Sequence, residues 1–181
     1  MKRLLILLTM VTGAICCKAQ NVDNSTVPSL DLGMYLGKWY EVARFDHSFE
    51  RGINFATAEY SLAKNGGIRV MNSGIKEGKV KISEGKAKLT DTEGLLRVSF
   101  FGPFYSDYRV MMVTRDYKYA LVGSKSPKYL WILSRTPDVP KNVMQLILTE
   151  ARARGYNTNK LIWVNHNPDT ILSKQQNNDL Q

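Results

Sequence analysis

The stretch Gly37-Lys38-Trp39-Tyr40-Glu41 opens the first strand-like run of the chain and decides how the rest is interpreted. The sequence contains only three tryptophans, and Trp39 stands two residues after a glycine. The last long strand-like run, 129–134, is followed by Arg135, whose guanidinium is able to lie across an indole ring. A Gly-x-Trp at the start and an arginine at the end of one β-rich segment predict a barrel whose first and last strands meet.

Short β-rich runs separated by turn residues continue from residue 38 to residue 134. Their near-regular spacing is typical of an antiparallel barrel or sandwich, and turns such as Thr92-Glu93-Gly94 join neighbouring runs into hairpins. The eight predicted strands are 38–44, 57–62, 68–74, 79–89, 95–100, 108–114, 117–124 and 129–134.

A predicted helix after the strands provides a cover for the outside of the sheet. Apolar residues recur at helical spacing through 140–154, and Gly155 is placed to end the helix. The predicted strands 108–114 and 117–124 are apolar on both faces, so we expect the helix to pack on their outer side. A helix lying on a membrane surface is the alternative. Residues 160–164 predict one more short strand at the barrel edge.

The first 19 residues have the composition of an export signal. Met1-Lys2-Arg3 is charged, and the apolar stretch that follows is too short to span a membrane well. Two processing routes stay open: cleavage after Ala19, or lipidation at Cys16 or Cys17 in a sequence that loosely resembles a bacterial lipobox. Both routes take the protein out of the cytoplasm. We therefore expect an export signal at 1–19, a flexible segment at 20–31, one folded domain at 32–168 and a disordered tail at 169–181.

Composition narrows the classes of function. Both cysteines lie in the leader, so the body has no disulfide, thiolate metal site or cysteine nucleophile. The net charge of +9 is scattered along the chain, which is typical of a solvated surface; attraction to anionic lipid is the alternative, and nucleic acid is disfavoured. His47 and His166 stand apart from acidic clusters, so we expect solvated side chains, no metal site and no cofactor. Because no catalytic motif is recognisable, we do not expect an enzyme.

Three blocks of the sequence together resemble the lipocalins, and the bacterial lipocalins in particular, which are related to apolipoprotein D. Arg115 departs from the threonine that is usual at its position in the second block. The loops 45–52 and 99–105 are also similar to those of the bacterial branch, and the resemblance runs from about residue 32 to residue 165. It implies an all-β fold, an eight-stranded antiparallel up-and-down β-barrel with one C-terminal α-helix packed outside. The three blocks are Gly37-Lys38-Trp39-Tyr40-Glu41-Val42-Ala43-Arg44, Arg115-Asp116-Tyr117-Lys118-Tyr119-Ala120-Leu121-Val122 and Trp131-Ile132-Leu133-Ser134-Arg135-Thr136-Pro137.

The resemblance also implies that the barrel cavity holds a small hydrophobic ligand, such as a fatty acid or a lysophospholipid. The alternative is that large side chains from opposite strands fill the interior. Side chains alternate between the two faces of a strand, which predicts the residues that line the cavity. They are Ala58, Tyr60, Val70, Ala87, Val98, Phe100, Tyr108, Val110, Met112, Ala120, Val122 and Trp131.

The two ends of the barrel have different expected roles. At the closed end we expect Gly37, Trp39 and Arg135 to be structural. At the open end, the resemblance implies that the long loop that holds Phe49 and Phe55 forms a mouth or lid; a packed loop that does not move is the alternative. There Arg51, or Arg109, is expected to meet an anionic head group.

These features predict a protein that carries or stores lipid in the bacterial cell envelope. It would be held at the outer membrane by an N-terminal lipid anchor, or be soluble in the periplasm or secreted. A lipid-modifying enzyme on the same scaffold is one alternative. An envelope protein that acts through its outer surface is the other.

Overall fold

The computed structural model describes residues 21–64 and 66–170. The export signal, Cys16, Cys17 and the tail beyond residue 170 lie outside the described residues, so the expectations for them stay predictions. A short helix, α1 (Leu32–Tyr35), precedes the strands. The strands are β1 (Gly37–Phe45), β2 (Asn54–Leu62), β3 (Ile68–Lys76), β4 (Lys79–Leu89), β5 (Leu95–Phe101), β6 (Phe104–Val113), β7 (Tyr119–Gly123), β8 (Leu130–Ser134) and β9 (Leu161–Trp163), with helix α2 (Lys141–Ala153) between β8 and β9.

The strands form one antiparallel sheet that closes on itself. Strands β2 to β8 pair in sequence order, β8 pairs with β1, and β1 pairs back with β2. Strand β9 pairs with the open-end half of β1 from outside the barrel. This arrangement confirms the predicted eight-stranded up-and-down barrel and the additional edge strand.

The strand bounds agree closely with the sequence pattern, and β4 has the predicted bounds. The largest difference is β6, which begins at Phe104 rather than at residue 108. The hairpin with β5 continues as far as the pair Phe101 and Phe104, so polar residues that break the apolar pattern still belong to the strand. Backbone pairing therefore extends beyond the alternating stretch.

Helix α2 covers the outer face of the barrel where the sequence predicts a cover. Its residues Ile147 and Ala151 are fully buried, and they share an outer apolar cluster with Met111 of β6 and Leu121 of β7. Gly155 follows the helix with a positive φ of 88°, a conformation that glycine adopts without strain. The apolar outer faces of β6 and β7 are thus removed from water by the helix.

One end of the barrel is closed by Trp39, α1 and Arg135. Trp39 is fully buried, and its Nε1 donates to the carbonyl of Tyr35 at 2.8 Å. The guanidinium carbon of Arg135 lies 3.7 Å from the centroid of the Trp39 ring. Gly37 has a φ of 92°, and a Cβ there would lie 3.5 Å from Arg135 Nη1. The structure therefore brings together Gly37, Trp39 and Arg135.

The described part of the N-terminal segment runs along the barrel. The amide of Asp23 donates to the carbonyl of Arg154, and the amide of Val27 donates to the carbonyl of Val110, both at 2.9 Å. Flexibility of the segment 20–31 stays a prediction. Its course nevertheless fixes where the chain enters the fold.

Candidate ligand site

The barrel interior is an apolar cluster that contains most of the residues expected to line a cavity. Six of them are buried in this cluster: Tyr60, Val70, Ala87, Val110, Ala120 and Val122. Five more are partly buried and pack against it: Ala58, Val98, Phe100, Tyr108 and Trp131. The alternation of the strands therefore brings eleven of the twelve predicted residues to one wall.

Met112 is the exception, because it packs in the outer cluster beneath α2. The pairing of β6 with β7 shifts in register between Val110 and Met112. A bulge of this kind adds one residue and reverses the faces of the residues that follow it. As a result Val113, rather than Met112, packs against the interior cluster.

A chain of three tyrosine hydroxyls crosses the interior near the closed end. Tyr108 Oη lies 2.7 Å from Tyr35 Oη, and Tyr60 Oη donates to Tyr108 Oη at 2.9 Å. Burial raises the pKa of all three phenols, so they remain neutral at physiological pH. The Tyr35 ring also packs at a tilt against the rings of Trp39 and Tyr60, with centroids 5.0 and 5.9 Å apart. Aromatic side chains therefore fill the closed half of the barrel.

Two charged residues lie inside the open half of the barrel. Glu41 faces Leu133, and Arg44 faces Trp131, although the two residues are an odd number of positions apart. Glu41 faces inward like Trp39 two residues before it, and the register shift of β1 against β8 between Glu41 and Ala43 turns Arg44 to the same side. Both residues are buried, and Arg44 Nη1 donates to Glu41 Oε1.

Arg44 also holds the loop that connects β1 to β2. Its Nη2 donates to the carbonyl of Glu50 at 2.7 Å and to the carbonyl of Ile53 at 3.1 Å. Its Nε is buried and has no hydrogen-bond partner among the described residues. The Arg44 guanidinium thus links the barrel wall to the loop, and its Nε is left to donate a further hydrogen bond.

The carboxylate of Glu50 joins the same loop to β8. Trp131 Nε1 donates to Glu50 Oε2 at 3.0 Å, and His47 Nε2 lies 3.0 Å from the same oxygen. The imidazole of His47 stacks on Phe49 with ring centroids 4.0 Å apart. His47 is only 7% exposed, so the expectation of a solvated side chain is wrong. The loop folds back over the barrel, and His47 within it is thereby buried.

Burial and mutual repulsion give the carboxyl groups of Glu41 and Glu50 different pKa values. Burial, followed by the charge of Glu50, raises the pKa of Glu41 to about 8. Burial alone would also raise the pKa of Glu50, but the hydrogen bonds from His47 and Trp131 outweigh it and leave that pKa below its usual value. At neutral pH Glu41 therefore carries the proton, and Glu50 carries the negative charge.

The residues expected at the mouth lie in or beside this loop. Phe49 is mostly exposed, and Arg51 forms an exposed ion pair with Asp46. Phe55 adopts a positive φ of 55°, and its amide donates to the carbonyl of Asn165.

The second candidate for a head-group contact is already paired within the protein. Arg109 donates to Asp107 at 3.0 Å and to the carbonyl of Asn24. Neither Arg51 nor Arg109 is therefore as buried or as free to bind an anion as Arg44. Sequence reasoning missed Glu41, Arg44 and Glu50. Alternation from Trp39 places Glu41 on the inner face, whereas only the bulge in β1 turns Arg44 inward.

Other kinds of site find no support in the described residues. Within 21–64 and 66–170, no three His, Cys, Asp or Glu side chains are grouped so that they could hold a metal ion. The imidazole of His166 contacts the backbone of β1, because its Nε2 lies 2.8 Å from the carbonyl oxygen of Glu41. No helix among the described residues has the length and apolar character needed to cross a membrane.

Known proteins are similar to this chain in sequence and in fold. A family model described as a lipocalin-like domain matches residues 30–166. The chain belongs to the lipocalins. It is 49% identical over 143 residues to the outer membrane lipoprotein Blc of Vibrio cholerae, covering 76% of this chain and 84% of that protein. It is 44% identical over 171 residues to the protein of the same name in Escherichia coli K12, covering 90% of this chain and 97% of that protein.

More distant members of the family agree with this assignment. Mouse apolipoprotein D is 30% identical over 175 residues, covering 87% of this chain and 92% of that protein. Insecticyanin from the tobacco hornworm shares the fold with a TM-score of 0.67 at 21% identity, covering 80% of this chain and 85% of that one. Lipocalins are generally binding and transport proteins rather than enzymes. Membership therefore implies that this chain binds small hydrophobic ligands.

Proposed function

We propose that this lipocalin binds a single-chain lipid, a fatty acid or a lysophospholipid, and carries or stores it in the bacterial cell envelope. The observation that carries the proposal is an apolar interior whose open half contains buried polar groups without protein partners. Those groups are Arg44 Nε, the Nδ1 of His47 and the Oδ1 of Asn72, each unpartnered among the described residues. Buried polar atoms are normally hydrogen-bonded, so such a cluster favours a polar ligand group.

The hydrocarbon tail fits the apolar wall. Aromatic side chains fill the closed half, so the tail would lie between the tyrosine chain and the open end, beside Ala58, Val98 and Phe100. Each buried CH₂ contributes about 0.8 kcal/mol. About a dozen such groups contribute about 10 kcal/mol before the costs of association, so the head-group contact has to add to them to reach the roughly 8 kcal/mol of a micromolar complex.

The head group would lie near Arg44. Arg44 is 2% exposed, and its neighbour Glu41 is protonated at neutral pH. The unpartnered Nε of Arg44 is able to donate to a carboxylate or phosphate oxygen. Binding an anion here would complete the hydrogen bonds of the cluster.

The cellular place follows from the relatives. The similar proteins of Vibrio cholerae and Escherichia coli are named outer membrane lipoproteins. We propose the same location for this chain, with Cys16 or Cys17 as the site of lipidation. The intact mass of the purified membrane fraction distinguishes a lipidated N-terminus from cleavage after Ala19.

Titration with a fluorescent fatty acid tests ligand binding. We expect saturable micromolar binding, and we expect Trp131→Lys to weaken it at least tenfold, because a charge would then enter the apolar wall. Trp163→Lys is the matched control, since Trp163 lies on β9 outside the barrel and is exposed. Equal affinities of the two folded variants, or no saturable binding by the unaltered protein, would rule out the interior site.

A methyl ester of the same fatty acid tests the head-group contact without altering the protein. The ester keeps the tail and loses the negative charge, so we expect about tenfold weaker binding, the loss of one charge-assisted hydrogen bond. Equal affinity for acid and ester would show that the buried cluster does not bind the head group.

A further inference from the structure

The open end of the barrel carries large apolar side chains that point into solvent. Phe101 and Phe104, on either side of the β5–β6 turn, are 80% and 79% exposed. Phe49 of the β1–β2 loop and Val80 and Ile82 of the β3–β4 hairpin are also mostly exposed. These five residues, which we name the apolar rim, belong to three separate turns around one opening. Exposed aromatic residues grouped in this way mark an interaction surface.

Lysines accompany the rim on the β3–β4 hairpin. Strand β4 pairs with β5 only over residues 86–89, so residues 79–85 form a projection that pairs only with β3. Lys76 faces Lys79 across the two strands, and Lys81 faces Gly74, which puts the three lysines on one face of the projection. None of them forms an ion pair with another described residue. Val80 and Ile82 alternate with these lysines along β4 and lie on the opposite face, so the projection is positive on one face and apolar on the other.

The chain also enters the described fold at this end. Asn24 Nδ2 donates to the carbonyls of Ser124 and Lys125, both at 3.1 Å, in the loop between β7 and β8. That loop lies at the open end with the rim. A lipid anchor at Cys16 or Cys17 would precede this entry point by only a few residues, so it would hold the open end towards the membrane.

We propose that the apolar rim and Lys76, Lys79 and Lys81 dock the open end on the surface of an anionic phospholipid bilayer. Aromatic and aliphatic side chains enter the interface while lysines meet lipid phosphates. A second copy of this chain fits less well, because it would bring the same positive charges together. This inference goes beyond ligand binding, since it concerns the surface from which lipid is received or to which it is delivered.

Vesicle co-sedimentation tests the docking surface. The full chain is used with Cys16→Ser and Cys17→Ser, so that no lipid anchor contributes to binding. We expect binding to vesicles with 30% phosphatidylglycerol that is at least tenfold stronger than binding to pure phosphatidylcholine. We also expect it to weaken in 0.5 M NaCl, because salt screens the lysines. Equal binding to both vesicle types overturns the proposal.

Variants with matched controls place the surface on the molecule. Phe101→Ser with Phe104→Ser is expected to weaken binding at least tenfold, whereas Leu62→Ser with Leu89→Ser, two exposed leucines at the closed end, should not. Lys79→Glu with Lys81→Glu should weaken binding at least thirtyfold, because each lysine near an anionic surface contributes about fivefold and each glutamate adds repulsion. Lys64→Glu with Lys118→Glu, at the closed end, is its control. If the closed-end control variants lose as much vesicle binding as the open-end variants, the proposal is overturned.

Two further measurements separate bilayer docking from ligand binding and from self-association. Fatty-acid titration without vesicles should give the same affinity for the rim variants as for the unaltered chain, so failure of docking and failure of ligand binding are distinguishable. Analytical ultracentrifugation without vesicles checks for self-association. A dimer that the rim variants dissolve, together with vesicle binding that they leave unchanged, would assign the rim to a second copy and overturn the membrane proposal.

Discussion

Replacing Arg135 by alanine is expected to lower the free energy of unfolding by about 3 kcal/mol. The guanidinium lies 3.7 Å from the Trp39 ring centroid, which contributes about 1 kcal/mol at a partly exposed site. Its nitrogens also donate to backbone carbonyls at the closed end, which contribute about 2 kcal/mol together once exposure to water is allowed for. The accepting carbonyls belong to Met34, Tyr35, Leu36, Lys38 and Tyr117.

Thermal unfolding monitored by circular dichroism measures this loss. A domain of this size shifts by about 2–4 °C per kcal/mol, so Arg135→Ala should lower Tm by about 6–12 °C. Arg135→Lys keeps a positive charge over the indole but loses the forked donors of the guanidinium. Its Tm should therefore lie between the Tm of Arg135→Ala and that of the unaltered protein. Arg69→Ala is the control, because its ion pair with Glu84 is exposed at both ends and contributes less than about 1 kcal/mol. A loss at Arg135 no larger than the loss at Arg69 would refute the structural role of the closed end.

Two buried groups give further predictions about stability. Because the folded-state pKa of Glu41 is raised to about 8, the folded protein holds a proton that the unfolded chain releases above about pH 4.5. Stability therefore falls as pH rises from about 5 to 8, by at most about 1.4 kcal/mol per pH unit, and Glu41→Gln should remove this part of the slope in urea titrations; an unchanged slope would contradict the assignment. Tyr108→Phe removes the hydroxyl that bonds both Tyr35 and Tyr60, and should cost about 1–3 kcal/mol by the same method. Tyr105→Phe, where Lys88 contacts the ring on the outer face, should cost less than about 0.5 kcal/mol, as is usual at a surface.

The barrel could be predicted from the sequence because its signals are local. Alternation along 79–89 and the apolar period of 140–154 identify β4 and α2 within a residue or two. The pair of Trp39 and Arg135 adds one long-range signal, since an indole at the first strand and a guanidinium at the last suggest that the two strands meet. These local patterns, together with one distant pair of residues, were therefore enough to predict the topology.

The open end could not be predicted, because it depends on bulges. A single added residue in β1 turns Arg44 inward beside Glu41, and another in β6 moves Met112 outward. Nothing in the residue types marks where the extra residue falls, since each bulge is set by pairing with another strand. Burial of His47 likewise depends on how the loop folds back over Trp131. The polar part of the candidate site is thus a product of tertiary structure.

Closure of the barrel by its first and last strands also has a kinetic consequence. Contacts between β1 and β8 join residues about ninety apart, and forming such contacts early in folding carries a high loop-closure cost. Because Arg135 bridges these ends, we expect its contacts to form late in folding and to be largely absent from the folding transition state. Interactions of that kind slow unfolding more than they speed folding. The arginine at the closed end therefore acts chiefly on the lifetime of the native barrel, which is the property that an exported protein beyond the reach of cytoplasmic chaperones depends on.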